Sequence, residues 1–166
     1  MLIKKRHTLS SKDLKELLEE AKKICPALVE SIAKKKEMEL VELEGGERIY
    51  FQEGKPILIW HDGKVMPSLA MPQPLLECIP KVTVDMGAVP FVVKGADIMA
   101  PGIRSVSEEA KLGEVVLVVD EKYSKGLAVG ILIMSREEIL HVRKGKAVKN
   151  IHHVGDEIWN SAKSIL

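Results

Sequence analysis

The sequence predicts an α+β chain built as two small domains. Three observations carry this. Apolar residues recur at helical spacing over roughly 12–35, and from Met38 the period drops to about two. Four prolines (Pro67, Pro72, Pro74 and Pro80) then crowd residues 67–80. Beyond them the chain breaks into short apolar runs separated by glycine turns. At 166 residues there is room for two domains of ordinary small size.

Ser10 or Ser11 can cap a first helix over about 12–24, with Leu14, Leu17, Leu18, Ala21 and Ile24 on one face and Lys22 and Lys23 in its last turn. Pro26 suits the first turn of a second helix over about 26–35. A strand follows at 38–43, ending at Gly45-Gly46. Arg48–Gln52 is a second strand and Pro56–Trp60 a third, with Asp62-Gly63 closing a tight hairpin. Across residues 37–53 the acids Glu37, Glu39, Glu42, Glu44, Glu47 and Glu53 stand against the single base Arg48. They read as a solvated strand face, with a surface for a basic partner protein as the functional alternative.

The proline cluster cannot carry a regular helix, so the domain boundary is placed there: 1–78 and 79–166. Short strands are expected at 81–84, 90–93, 114–119, 127–134 and 147–154. Between the second and third lies Lys94–Ile103, bounded by Gly95 and Gly102, with room for one helical turn. Ser135-Arg-Glu-Glu138 is a capping box opening a short helix that ends before Lys144-Gly145. Ile158 and Trp159 are expected to anchor the end of the chain. Many short strands with glycine turns point to a small β-barrel.

Composition excludes several classes. An apolar fraction of 46% excludes disorder. No apolar run approaches the roughly 20 residues needed to span a bilayer, and no apolar stretch follows the basic start, so neither a membrane span nor a signal peptide is expected. Cys25 and Cys78 are too few for a disulfide scaffold or a four-cysteine metal site, and are expected to be buried small hydrophobes. No P-loop, Rossmann glycine pattern or nucleophilic triad motif is present, and no metal, cofactor or catalytic residue is expected. His152 and His153 point to opposite strand faces and cannot chelate one metal as a simple pair. The chain is expected to be cytoplasmic. Scarce Asn and Gln beside abundant Lys and Glu fit a thermophile.

Three blocks in the second half carry a resemblance: Val89-Pro-Phe-Val-Val-Lys-Gly-Ala-Asp-Ile-Met-Ala-Pro-Gly-Ile103, Gly126-Leu-Ala-Val-Gly-Ile131 and Lys144-Gly-Lys-Ala-Val-Lys-Asn-Ile-His-His-Val-Gly-Asp156. Together they resemble a PUA domain, a small RNA-binding β pseudo-barrel. With Met66-Pro-Ser-Leu69 and Val84-Asp-Met-Gly-Ala88, the whole chain is similar to the MCT family, a two-helix, short-strand pre-PUA domain followed by PUA. The compact size suggests an archaeal-type member. The resemblance implies a non-enzymatic role in translation, with RNA as ligand and a translation-factor protein partner on the N-terminal domain.

Candidate RNA-binding residues follow from that frame and from local chemistry. Lys94, Gly95 and Ala96 belong to the glycine-bearing turn that the family turns toward RNA. Gly95 would let backbone approach a ligand closely. Arg143, Lys144, Lys146 and Lys149 form a basic run without an acid, suited to phosphates. Lys122, Tyr123 and Lys125 sit at a hairpin tip where the ring could stack on a base. Ile98, Met99 and Ile103 are expected in the core. Net charge is +1, with 13 basic and 13 acidic side chains before residue 79 and 12 and 11 after, so RNA affinity must come from local clustering. The ligand is expected to be rRNA or tRNA, with no DNA and no membrane. The alternatives are an accessory RNA-binding subunit of an RNA-modifying enzyme, and a protein-interaction module without RNA binding.

Overall fold

The computed structural model describes residues 2–35 and 37–165. The chain divides into two compact units, residues 1–78 with 157–166, and residues 79–156.

In the first unit, strand β1 (Ile3–Thr8) precedes helices α1 (Ser11–Ile24) and α2 (Pro26–Lys35). Ser10 caps α1 by accepting from the Asp13 N–H at 3.1 Å. Strands β2 (Glu39–Leu43), β3 (Arg48–Gln52), β4 (Lys55–His61) and β5 (Lys64–Pro67) then run as an antiparallel meander in the order β1-β2-β3-β4-β5. Strand β1 was not expected. Two of its three consecutive cations pair with the acids of β2: Arg6 meets Glu39 at 2.9 Å and Lys4 meets Glu42 at 3.8 Å. The acidic run between 37 and 53 is thus partly neutralised by a neighbouring strand. Leu17, Ala21, Leu28 and Ile32 from the helices and Val41, Ile49, Leu58 and Met66 from the strands are buried. Buried Gln52 donates to the Ile32 carbonyl at 3.1 Å and ties β3 to α2.

The cysteines depart from expectation. Cys25 and Cys78 form a disulfide, with Cα atoms 6.3 Å apart. It staples the α1–α2 junction to the last residue of this unit's first segment, just after the short helix α3 (Gln73–Leu76). The pairing was invisible in sequence because 53 residues separate the two thiols.

The second unit holds a six-stranded sheet in the order β7-β11-β10-β9-β6-β8, comprising β6 (Lys81–Val84), β7 (Ile98–Met99), β8 (Ile103–Val106), β9 (Val115–Asp120), β10 (Gly126–Leu132) and β11 (Lys146–His153). Strands β6 and β9 are parallel; the other pairings are antiparallel. It is a nearly closed β-barrel with one core, which includes Val82, Ile98, Ile103, Val116, Leu132 and Val148. Helix α5 (Arg136–Val142) opens at Ser135, whose hydroxyl accepts from the Glu138 N–H at 3.2 Å. Gly130 stands where β10 meets the bulge of β11: a Cβ there would run into the Lys149 carbonyl.

Three expected features change. Residues 90–93 were expected as a strand, but Val89–Val92 form the one-turn helix α4, with Pro90 where a missing N–H does no harm. Met99 was expected in the core and is 45% exposed, while Ile98 and Ile103 are buried. The second domain was expected to run to the C-terminus; instead helix α6 (Glu157–Ile165) groups with the first unit, where it packs against β4. No helix among the described residues is long and apolar enough to cross a membrane.

Candidate nucleic-acid interface

The segment 94–102 runs along the β7–β11 edge of the second unit. It leaves α4 through a turn in which the Gly95 N–H donates to the Val92 carbonyl at 3.0 Å and the Ala96 N–H to the Phe91 carbonyl at 3.1 Å. It then pairs as β7 with β11 and closes in a 3-10 turn, Ala100–Gly102.

Asn150 pins the turn. Its side-chain Nδ2 donates to the Val92 and Ala96 carbonyls, each at 3.0 Å, and its backbone N–H donates to Asp97 Oδ1 at 2.9 Å. Gly95 has φ +96°, a conformation that disfavours any Cβ. A Cβ at this position would also lie 3.1 Å from His153 Nε2. This differs from the expected reason for a glycine: the space above Gly95 is taken by the His153 ring. His153 Nδ1 donates to the Val154 carbonyl at 2.9 Å, and its Nε2 faces the turn. Behind it, His152 is fully buried, with Nδ1 2.8 Å from Asp156 Oδ2. The His153 N–H donates to that same oxygen at 2.9 Å. This pairing fixes the end of β11.

Four of the predicted cations gather along this segment. Lys94 is exposed at its start. Lys146 reaches Asp97 Oδ2 at 3.4 Å, in an exposed ion pair. Arg143, the left-handed C-cap of α5 at φ 55°, extends Nη2 to the Pro101 carbonyl at 3.5 Å. Exposed Lys144 lies between them in sequence, and Lys149 is exposed further along β11. Ala96 is exposed and Gly95 half-buried.

The hairpin tip does not join this cluster. Lys122, Tyr123 and Lys125 are exposed at the β9–β10 turn, and the contacts of that turn run toward β6 and β8. The Glu121 N–H donates to the Val84 carbonyl at 2.9 Å, and Glu121 pairs with Arg104 at 3.1 Å. Tyr123 is 70% exposed and carries Lys122 Nζ 5.2 Å from its ring centroid. Buried Asp120 organises the tip by accepting from the Lys122, Tyr123 and Lys125 N–H groups. Burial would push its carboxyl up, but these backbone donors outweigh it and hold the group below the usual carboxylate range.

Sequence reasoning missed three residues here. Phe91, expected on a strand, stands 66% exposed on α4, three residues from Lys94. Asn150 and His153 shape the turn. A signal for Asn150 existed: it is one of four side-chain amides in the chain (with Gln52, Gln73 and Asn160) and lies inside a β run, where an amide usually bonds main chain.

Among the described residues no group of three or more His, Cys, Asp or Glu side chains could hold a metal. Residues 80–154 match the PUA domain family, and residues 5–71 match a domain of unknown function, DUF1947. The chain is 42% identical over 163 residues to an uncharacterized protein of Methanocaldococcus jannaschii, covering 96% of this chain and 98% of the relative. It is 34% identical over 151 residues to Translation machinery-associated protein 20 of Saccharomyces cerevisiae, covering 87% and 83%. A crystal structure of a hypothetical protein from Pyrococcus horikoshii superimposes with a TM-score of 0.81 at 35% identity, over 95% of this chain and 99% of that one. The chain therefore belongs to the PUA-domain family of Translation machinery-associated protein 20 and the MCT proteins, a non-catalytic family associated with RNA binding and the translation machinery.

Proposed function

We propose that the chain is a cytoplasmic RNA-binding protein that holds a segment of rRNA or tRNA along the 94–102 edge, with a translation-factor protein partner on the first unit. One observation carries the RNA reading: Lys94, Arg143, Lys144 and Lys146 flank a single pinned turn, beside exposed Phe91. The cations suit phosphates, and the ring suits an unstacked base. The affinity must be local, because the global charge is nearly zero. No step requires bond making or breaking, so binding and positioning are the whole mechanism. The disulfide is consistent with a cytoplasmic setting in a thermophile, where intracellular disulfides are common.

Ultraviolet crosslinking in cell extract, followed by sequencing of the bound RNA, tests this. Enrichment of small-subunit rRNA or of tRNA, with crosslinked peptides from 91–102 or 143–149, is the expected result. Recovery of no RNA would overturn it. Co-purification with a methyltransferase or pseudouridine synthase in place of ribosomes would move the protein to RNA modification.

A further inference from the structure

The sheet of the first unit has a face that the RNA reading leaves unused. Antiparallel register places Leu40 opposite Tyr50, Arg48 opposite Trp60, and Trp60 opposite Val65. Cross-strand partners share a face, and Arg48 and Tyr50 lie two apart on one strand, so these five side chains form one surface. Helix α1 lies over it and presents Asp13, Glu16, Leu17 and Glu20, the i, i+3, i+4, i+7 stripe of one helix face. Between helix and sheet is an open cleft of about 420 Å³, large enough for a ligand side chain.

The cleft is charged asymmetrically. Among the described residues that line it, Asp13, Glu16 and Glu20 stand on the helix wall and Arg48 is the base on the sheet wall. Arg48 is already engaged, its guanidinium 4.7 Å from the Trp60 ring centroid. Glu20 is paired with Lys23 at 3.0 Å. Asp13 and Glu16 have no ion-pair partner among the described residues. Tyr50 is the second, independent sign of a ligand. It is 9% exposed, it lines the cleft, and its hydroxyl has no hydrogen-bond partner among the described residues. Burial raises the hydroxyl's pKa, Arg48 opposes this and the Asp13 charge adds to it, so the net shift is upward and the group is a neutral phenol able to accept a hydrogen bond.

We propose that this cleft is a docking site for a lysine or arginine side chain on a basic segment of a protein partner. The cation would sit between Asp13, Glu16 and the Tyr50 hydroxyl. Its aliphatic stem would lie along Leu9, Leu17 and Leu40, as long basic side chains do when only the head group is charged. RNA is disfavoured because the helix wall would repel phosphates. This inference rests on the part of the functional reading that gives the first unit a protein partner, and it is independent of the RNA edge.

The test titrates the full chain with the blocked peptide acetyl-Lys-Leu-Arg-Leu-Lys-amide, followed by NMR shifts of Tyr50 and the Trp60 indole. Saturable shifts at both residues are expected. The Asp13→Asn, Glu16→Gln double variant should weaken binding about fivefold to tenfold, the scale of two charge pairs made at exposed side chains. Tyr50→Phe, which keeps the packed ring, should also weaken it. The Glu37→Gln, Glu44→Gln variant removes the same charge at exposed positions outside the cleft and should change affinity less than about twofold. Absence of saturable binding, an equal loss in the two double variants, or equally tight binding of spermidine or of acetyl-Glu-Leu-Glu-Leu-Glu-amide would overturn the proposal. Single-stranded RNA titrated into the same variants separates the two readings. Loss of peptide binding with RNA affinity intact tests this cleft alone, and RNA shifts appearing at Tyr50 and Trp60 would refute it.

Discussion

Gly95 and His153 are fitted to each other: the glycine turns at φ +96° under the imidazole, and a Cβ would stand 3.1 Å from Nε2. Gly95→Ala is therefore expected to destabilise the second unit by about 1–2 kcal/mol, the cost of a left-handed non-glycine residue. Denaturant midpoints measure this. RNA affinity should fall through the displaced turn while the salt dependence stays nearly unchanged, because no cation is removed.

The basic edge is tested by salt. Each phosphate contact on a single strand contributes about 0.7 to the slope of log affinity against log salt, so Lys144→Ala with Lys146→Ala should lower it by roughly 1.4 if both touch phosphate. Lys146 must first leave Asp97, but an exposed pair of this kind is worth at most about 1 kcal/mol. Lys34→Ala with Lys35→Ala should leave the slope unchanged; loss of binding there would move the RNA to the first unit.

Asn150→Ala removes the donor to two turn carbonyls. The Val92 carbonyl keeps the Gly95 N–H as a donor while the exposed Ala96 carbonyl loses its side-chain donor, so the change should cost about 1 kcal/mol. Hydrogen exchange should show the loss first at the Gly95 and Ala96 amides, which the turn protects.

Asp120 links the hairpin tip to pH. Its folded pKa lies below its unfolded value, so folding favours the ionised form. The stability it contributes is present above the ordinary carboxylate pKa of about 4 and is lost as pH falls through the lower folded value. Asp120→Asn should therefore be less stable than the parent at neutral pH, and the gap should narrow in acid. Thermal melts at pH 7 and in the acid range read this directly.

Reducing the Cys25–Cys78 bond releases a long loop of the first unit. Loop-closure entropy predicts a loss of roughly 2–4 kcal/mol. A Cys25→Ser variant should match the reduced parent, and neither change should alter the RNA salt slope.

Much of this protein was legible in one dimension because its signals are local. The 3.6-residue spacing of Leu14, Leu17 and Ala21, the Ser10 and Ser135 caps, and the alternation after Met38 each act within a turn or a strand, and the structure places helices and strands there. The glycine blocks around Gly95, Gly130 and Gly145 carried the family because backbone geometry at those points tolerates little else. What tertiary structure alone decided are pairings between distant segments. The basic start became a strand because β2 offered Glu39 and Glu42 across from it. Phe91 became exposed because Val89–Val92 wound into a helix against the barrel, where strand alternation no longer applies. Asn150 found its carbonyls 54 and 58 residues away, and Cys25 its partner at 53. Such contacts are chosen by packing and register across the fold, and no local pattern encodes them.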